Sequence, residues 1–181
     1  MAATIDTIAA PGYGEASFTR IAERAGLSST RLISYYFAGK QELIEQVIAE
    51  VYGTMGRFMA ERMAEQSTAP GALRAYIEGQ VEFIARHRTE MKALLSCFLN
   101  GTVSYDPAEH ELVALDPIER ILRDGQRDGE FRQFERRIMA ASIRRGLDGL
   151  PMLPESHPDL DLAACAVESV TTLDLATRSA R

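Results

Sequence analysis

The chain has 181 residues, a formal net charge of −6 and two cysteines. This length allows a sizeable buried core, in one domain or two. No apolar run approaches the ~20 residues that a membrane span needs. The N-terminus also lacks a basic region followed by an apolar block, so we expect a cytoplasmic protein. Cys97 and Cys165 are too few and too far apart for a disulfide framework or a metal cluster.

The first predicted element is a helical fragment over Thr4–Ala10, with Ile5 and Ile8 on one side. Pro11 and Gly12 end this fragment. A second helix begins after Ser17, whose hydroxyl oxygen can accept a backbone N–H as the N-cap. Gly26 ends this second helix, because the C′ position usually requires a positive φ that glycine adopts without steric cost.

A third helix follows this tight turn, and we expect Ser28 to cap it. The predicted inward side of this helix consists of Leu32, Tyr35 and Tyr36. The opposite face carries short hydrogen-bonding groups and one arginine, which suit base edges and phosphate oxygens. These residues are Ser29, Thr30, Arg31 and Ser34.

Lys40 lies in the first turn of the next predicted helix, where the helix dipole disfavours a cation. A nearby DNA phosphate would explain this lysine; the alternative is a solvated surface residue. Residues 17–41 carry a net charge of +3, and because the whole chain carries −6, the other residues carry −9. A locally basic segment on an acidic chain favours specific binding of DNA over general coating.

The remaining pattern predicts further helices, for a total of about nine, and no strand. The predicted segments are a long helix over 41–65, helices over 72–87 and 89–100, a loop over 101–116, and helices over 117–129, 132–150 and 159–177. We expect Thr89 to cap the helix over 89–100, which ends at Asn100 and Gly101. We also expect Asp116 to cap the helix that begins with Pro117.

The run FTRIAERAGLSSTRLISYYFAGKQELI resembles the DNA-binding domain of the TetR family of bacterial transcription regulators. The resemblance implies an all-α fold with a three-helix helix-turn-helix DNA-binding domain over residues 1–46. A helical ligand-binding and dimerisation domain would occupy residues 47–181. The predicted DNA-binding residues are Ser17, Thr19, Ser28, Ser29, Thr30, Arg31, Ser34, Tyr35, Tyr36 and Lys40.

Two features depart from the family pattern. The segment before Ala10 is shorter than the family's first helix and its basic arm, so either the chain starts late or its grip on DNA is weaker on that side. The interval from Gly26 to Phe37 is one residue longer than the commonest spacing. This insertion shifts the register of the residues around Arg31 against the groove.

The resemblance also implies a pocket for an apolar or amphipathic effector and a homodimer formed through the last two helices. The candidate lining residues are Phe58, Met59, Met63, Phe83, Met91, Leu95, Phe98 and Met139. The alternative for each of them is an ordinary core residue. Small residues on both candidate dimer helices, Ala141, Ser142, Gly146, Ala163 and Ala166, would allow a close helix approach, although such residues also occur inside single subunits.

Two functional hypotheses follow. The first is a homodimeric, ligand-responsive transcription regulator, a repressor that reads a palindromic operator. The alternative is a helical small-molecule binding protein whose DNA-binding domain is weakened or non-functional. An enzyme ranks third, because no catalytic constellation is visible and because His87, His110 and His157 show no metal-ligand spacing. We expect no cofactor and no metal.

Overall fold

The computed structural model describes residues 1–100, 107–152, 157 and 159–179. Within these residues the chain forms nine α-helices and two short 3₁₀ helices, Tyr13–Glu15 and Leu150–Met152. The α-helices are α1 (Ala2–Ala9), α2 (Phe18–Arg24), α3 (Arg31–Tyr36), α4 (Lys40–Ala64), α5 (Ala69–Arg86), α6 (Arg88–Leu99), α7 (Pro107–Arg127), α8 (Arg136–Asp148) and α9 (Leu162–Thr177). The described part of the chain has no strand beyond an isolated bridge between Phe131 and Arg178. The predicted all-α fold is confirmed.

The chain divides into two compact units. The first unit comprises Met1–Gly56 and His87–Ser104, and the second comprises Arg57–Arg86 and Tyr105–Arg181. Helix α6 therefore joins the N-terminal helices, because it packs against α1. The functional division at residue 46 stays a prediction.

The core of the first unit is built from α1, the first half of α4, and α6. Ile8, Ile44 and Val47 are fully buried there, together with Ala93 and Cys97 of α6. The apolar residues of α4 recur every three or four positions, which places them on one side of the helix. Both cysteines are thiols outside any disulfide.

In the second unit, α5 packs against α7 and α9, and α7 packs against α8. Fully buried side chains on α5, α7 and α8 fill its core, among them Phe83, Ile118 and Ile143. Gly125 of α7 lies in close contact with Phe131: a Cβ at this position would overlap the Phe131 ring and would lie 2.8 Å from the Cβ of Ala69.

Several predicted helix starts are wrong, including those of α6 and α7. Helix α7 begins at Pro107, so residues 107–116 are helical and Pro117 lies inside the helix. Leu115 and Ile118, on either side of this proline, are both buried, and packing of this continuous apolar face outweighs the helix-breaking tendency of proline. The remainder of the predicted loop, residues 101–106, lies outside the described residues. Helix α6 begins at Arg88 after His87, so Thr89 is not its N-cap.

The two helices proposed for dimerisation also expose apolar side chains. Ile138 of α8 and Val167 of α9 are exposed. Both helices carry apolar residues on more than one face, and each unit can bury only the face that contacts its own neighbours. Packing against neighbouring helices, rather than periodicity, therefore determines which side of each helix stays exposed.

Candidate nucleic-acid interface

Helix α2 is capped by hydrogen bonds at both of its ends, and the cap at its C-terminus forms the turn to α3. The Ser17 hydroxyl oxygen accepts the N–H of Arg20 at 3.3 Å, as the N-cap prediction required. At the other end, Gly26 has a φ of 69°. The N–H of Leu27 donates to the carbonyl of Ala22 at 2.9 Å, and the N–H of Gly26 donates to that of Glu23 at 3.1 Å. This pair of bonds is a Schellman motif, which requires the left-handed φ that glycine supplies.

A small apolar cluster holds α2 and α3 together. Ile21 and Ala22 of α2, Ile33 of α3 and Leu43 of α4 are its buried members. Three partly buried apolar side chains, Phe18, Leu27 and Phe37, surround this cluster. The start of α4 is therefore part of the same core as the helix-turn-helix, and α3 is fixed against both neighbours.

The predicted start and inward side of α3 are wrong. Helix α3 begins at Arg31, and Ser29, rather than Ser28, accepts its N–H at 3.4 Å. Ile33 is the inward residue, at 8% exposure. The residues predicted to point inward are exposed instead: Leu32 by 53%, Tyr35 by 80% and Tyr36 by 66%. Because α3 has only six residues, it turns less than twice and directs few side chains inward.

The exposed side of α3 presents a polar and aromatic surface. Its members are Arg31, Leu32, Ser34, Tyr35 and Tyr36. The rings of Tyr35 and Tyr36 pack edge to face, with centroids 5.1 Å apart. The other residues predicted to contact DNA are exposed, apart from Thr30 and Lys40, which are half-buried. The exposed side of α3 thus carries hydroxyl groups and one guanidinium.

The four basic side chains of residues 17–41 are not equally available to bind an external anion. The Arg20 guanidinium pairs with Glu15 at 2.8 Å. Arg24 donates to the backbone carbonyl of Asp6 at 3.4 Å. For Arg31, the described residues include no hydrogen-bonding or ion-pairing partner of its guanidinium. Arg31 is therefore the arginine of α2 and α3 that is best placed for an external anion.

Lys40 is held inside the first unit. Its ammonium donates to the carbonyl of Tyr13 at 2.6 Å and lies 4.1 Å from the centroid of the Tyr13 ring. Partial desolvation lowers the pKa of Lys40, although the charges of Cys97 and Glu15 act in the opposite direction. Sequence reasoning missed Tyr13 because 27 positions separate it from Lys40, and no local pattern reports such a contact. That Lys40 touches phosphate stays a prediction.

The predicted effector residues belong to two units. Phe58, Met59, Met63, Phe83 and Met139 lie in the second unit, whereas Met91, Leu95 and Phe98 lie in the first. Phe58 and Phe83 stack edge to face at 5.5 Å. Met59 is buried and packs where α4 passes Gly79 of α5. Within the second unit, these contacts are those of an ordinary core.

A cavity of about 100 Å³ lies in the second unit beside α5 and α9. Its walls include Leu73, Ile77, Phe131, Val170 and Thr177, and none of the eight predicted lining residues. Drug-sized ligands occupy pockets of about 300–1,000 Å³, so this cavity has room for only a fragment of such a molecule.

Among the described residues, no three His, Cys, Asp or Glu side chains are grouped so that they could hold a metal ion. None of the described helices is both long enough and apolar enough to span a membrane.

The all-helical architecture and the capped α2–turn–α3 unit define a helix-turn-helix protein. Residues 1–47 match the family model of the bacterial regulatory proteins of the tetR family. Residues 1–47 are thus similar to the DNA-binding domain of that family, and the relatives and structural neighbours agree with this match.

Two relatives are HTH-type transcriptional regulators. BetI 1 of Chromohalobacter salexigens is 36% identical over 95 residues, which are 52% of this chain and 46% of that protein. BetI of Pseudomonas aeruginosa is 29% identical over 153 residues, or 83% of this chain and 73% of that protein. The first of these alignments spans less than half of the relative.

Solved structures share the fold over nearly the whole chain. A tetR-family regulatory protein from Rhodococcus RHA1 has a TM-score of 0.79 at 20% identity, covering 99% of this chain and 95% of that one. FadR from Bacillus subtilis, solved in complex with stearoyl-CoA, has a TM-score of 0.78 at 22% identity, covering 95% and 94%. At these identities the likeness concerns the fold.

Proposed function

We propose that this protein is a ligand-responsive, DNA-binding transcription regulator, a repressor that reads a palindromic operator as a homodimer. The observation that carries this proposal is the surface of α3. A capped turn and a buried cluster hold this helix, and its opposite side exposes Arg31, Ser34, Tyr35 and Tyr36. A helix held in this way can enter the major groove of B-DNA.

The proposed contacts divide by chemistry. Arg31 has the geometry for a bidentate bond to guanine or for a phosphate. The hydroxyl groups suit phosphate oxygens and fix the register of the protein on the duplex. They belong to Ser17, Thr19, Ser28, Ser29, Thr30, Ser34, Tyr35 and Tyr36. Tyr13 holds the Lys40 ammonium, and a phosphate contact by Lys40 stays a prediction.

The proposed dimer forms through α8 and α9. Exposed apolar side chains on these helices, Ile138, Val167 and Leu175, would become buried in such an interface. Gly146 and Ala163 are also exposed, and small residues allow helices to approach closely. In a symmetric dimer, two α3 helices ~34–36 Å apart would read successive major grooves on one side of the DNA.

The proposed effector is an apolar or amphipathic small molecule. FadR from Bacillus subtilis, which shares this fold, was solved with stearoyl-CoA, so acyl-CoA compounds are reasonable first probes. The bound ligand would favour a separation of the two α3 helices that no longer matches successive grooves. The resulting loss of DNA affinity is limited by the difference between the ligand's affinities for the two states.

Selection of duplexes from a random pool, followed by footprinting, tests the proposal. We expect a protected palindrome and an affinity whose logarithm falls linearly with the logarithm of salt concentration, with a slope near −0.9 for each phosphate contacted. Enrichment of no sequence, together with binding that is independent of salt, would contradict it.

One observation favours the second hypothesis, a helical small-molecule binding protein with a weakened DNA-binding domain. Arg20, Arg24 and Lys40 are all engaged by groups of the same chain, which leaves few cations for phosphate. The same salt titration discriminates between the two hypotheses. A weakened domain would give almost no salt-sensitive binding, whereas acyl-CoA or other amphipathic probes would still raise the thermal stability.

A further inference from the structure

The Tyr13–Glu15 turn is held from both sides within the first unit. The N–H of Tyr13 donates to the hydroxyl oxygen of Ser96 on α6 at 3.0 Å. Its carbonyl accepts the Lys40 ammonium at 2.6 Å, and its ring packs against the same ammonium. One residue thus joins α6 to the first residue of α4.

This turn leads directly into the helix-turn-helix. The N–H of Ala16 donates to the carbonyl of Tyr13 at 3.2 Å, and the N–H of Ser17 donates to that of Glu15 at 2.9 Å. Ser17 then caps α2, and Ala16 is fully buried. Only three residues lie between Tyr13 and Ser17, the N-cap of the helix that supports α3, so any movement of the turn would pass to α2.

We propose that Lys40 is a positioning residue: its ammonium ties the start of α4 to Tyr13 and, through the Tyr13 amide, to Ser96 of α6. This inference rests on the proposed DNA-binding function, because the element that Lys40 positions is the α2–α3 unit. A lysine at the start of a helix is unfavourable for the helix dipole. Here its partners are a carbonyl and an aromatic face, both of which favour a cation. Partial desolvation is the expected cost of this placement.

The role differs from a phosphate contact in a measurable way. Loss of a phosphate contact would make the salt slope of DNA binding shallower by about 0.9. Loss of a positioning contact would lower the affinity and leave the slope unchanged, since the same phosphates are contacted by a less well-ordered surface.

Amine labelling of the native protein is the first test. The chain has two lysines, Lys40 and Lys92, and Lys92 on α6 is exposed. We expect an acylating reagent to modify Lys40 at least about tenfold more slowly than Lys92, because the half-buried Lys40 amine is held by the carbonyl and the ring of Tyr13 and is less accessible to the reagent. Equal rates would overturn the proposal.

Hydrogen exchange and DNA binding of variants provide the second test. Lys40→Met keeps the aliphatic stem and removes the charge, and Lys92→Met is the control with the same charge change. We expect Lys40→Met to raise the exchange rate of the Tyr13 amide about tenfold and to weaken binding to the selected duplex with an unchanged salt slope. We expect Lys92→Met to leave Tyr13 exchange as it is.

Variants of Ser96 distinguish a loss of positioning from a general loss of stability. Ser96→Ala removes the acceptor of the Tyr13 amide from α6, and we expect it to weaken DNA binding in the same direction as Lys40→Met. Ser96→Thr keeps the hydroxyl and should restore binding. Val51→Ala, a core change in the same unit, controls for lower stability and should leave the affinity of the folded protein unchanged.

A shallower salt slope in Lys40→Met, with Tyr13 exchange unchanged, would assign Lys40 to phosphate and overturn the inference. Unaltered Tyr13 exchange in both Lys40→Met and Ser96→Ala would also overturn it. If the wild-type protein shows no salt-sensitive binding to DNA, the proposed function fails. Labelling and exchange still decide whether Lys40 holds Tyr13, because neither measurement uses DNA.

Discussion

Ile138→Asp tests the proposed dimer at its most exposed apolar residue on α8. Ile138 is 67% exposed, and complete burial of an isoleucine side chain contributes ~1.5–3 kcal/mol. About two thirds of that, ~1–2 kcal/mol, remains to be gained in an interface. A two-fold dimer buries the residue twice, so we expect a loss of ~2–4 kcal/mol, or a dissociation constant raised about 30- to 1,000-fold. The desolvation cost of two aspartates adds to this loss.

Sedimentation equilibrium over a range of concentrations measures this change directly. Val113→Asp is the matched control: Val113 of α7 is 69% exposed, but lies outside the two helices proposed for the interface. We expect this control to dimerise like the wild-type protein. If Val113→Asp dissociates the dimer and Ile138→Asp does not, the interface lies on another surface and the assignment to α8 and α9 is refuted.

Three further predictions concern stability, specificity and pH. Gly125→Ala should lower the free energy of unfolding by ~1–3 kcal/mol, since its Cβ would overlap the Phe131 ring, whereas Gly56→Ala, which has open space around it, should raise it by ~0.5–1 kcal/mol; urea denaturation measures both. Arg31→Ala should weaken binding and reduce the preference for the selected duplex over random DNA by ~1–3 kcal/mol in competition assays; an unchanged preference would remove Arg31 from base contact. Burial raises the pKa of the Cys97 thiol from 9.0 to about 11. The folded state therefore retains a proton that the unfolded state loses, and the free energy of unfolding should fall as pH rises from about 9 to about 11. Cys97→Ala should abolish that part of the pH dependence, and its persistence would contradict the assignment.

Several features of the α2–turn–α3 unit could be predicted because their causes are local. A serine before a helix and a glycine after it act on backbone groups within a few residues, and both Ser17 and Gly26 behave as expected. The start of α3 is an exception, because its N-cap is Thr30, which makes no side-chain capping hydrogen bond, while Ser29 accepts the N–H of Arg31. Local chemistry places a helix start near this position without selecting among neighbouring hydroxyl residues.

The failed predictions share a different cause. Periodicity shows which apolar residues lie on one face, but the neighbours of a helix decide which face is buried. Ile33 points inward while Leu32 and Tyr35 are exposed, although all three are residue types that commonly occur in a core. Pro117 lies inside α7 for a related reason, since the buried residues on either side of it continue one packed face.

The amino-acid sequence by itself determined the all-helical fold, the capped turn and the net positive charge of residues 17–41, because backbone capping and helical periodicity act over short distances. Only the tertiary structure decided which of those charges are available. Arg20 is paired with Glu15, and Lys40 is held by Tyr13, a residue 27 positions away along the chain. Arg31 is left for an external anion. The physical reason is that a charged group pairs with the partner nearest to it in space, and the fold determines which partner that is.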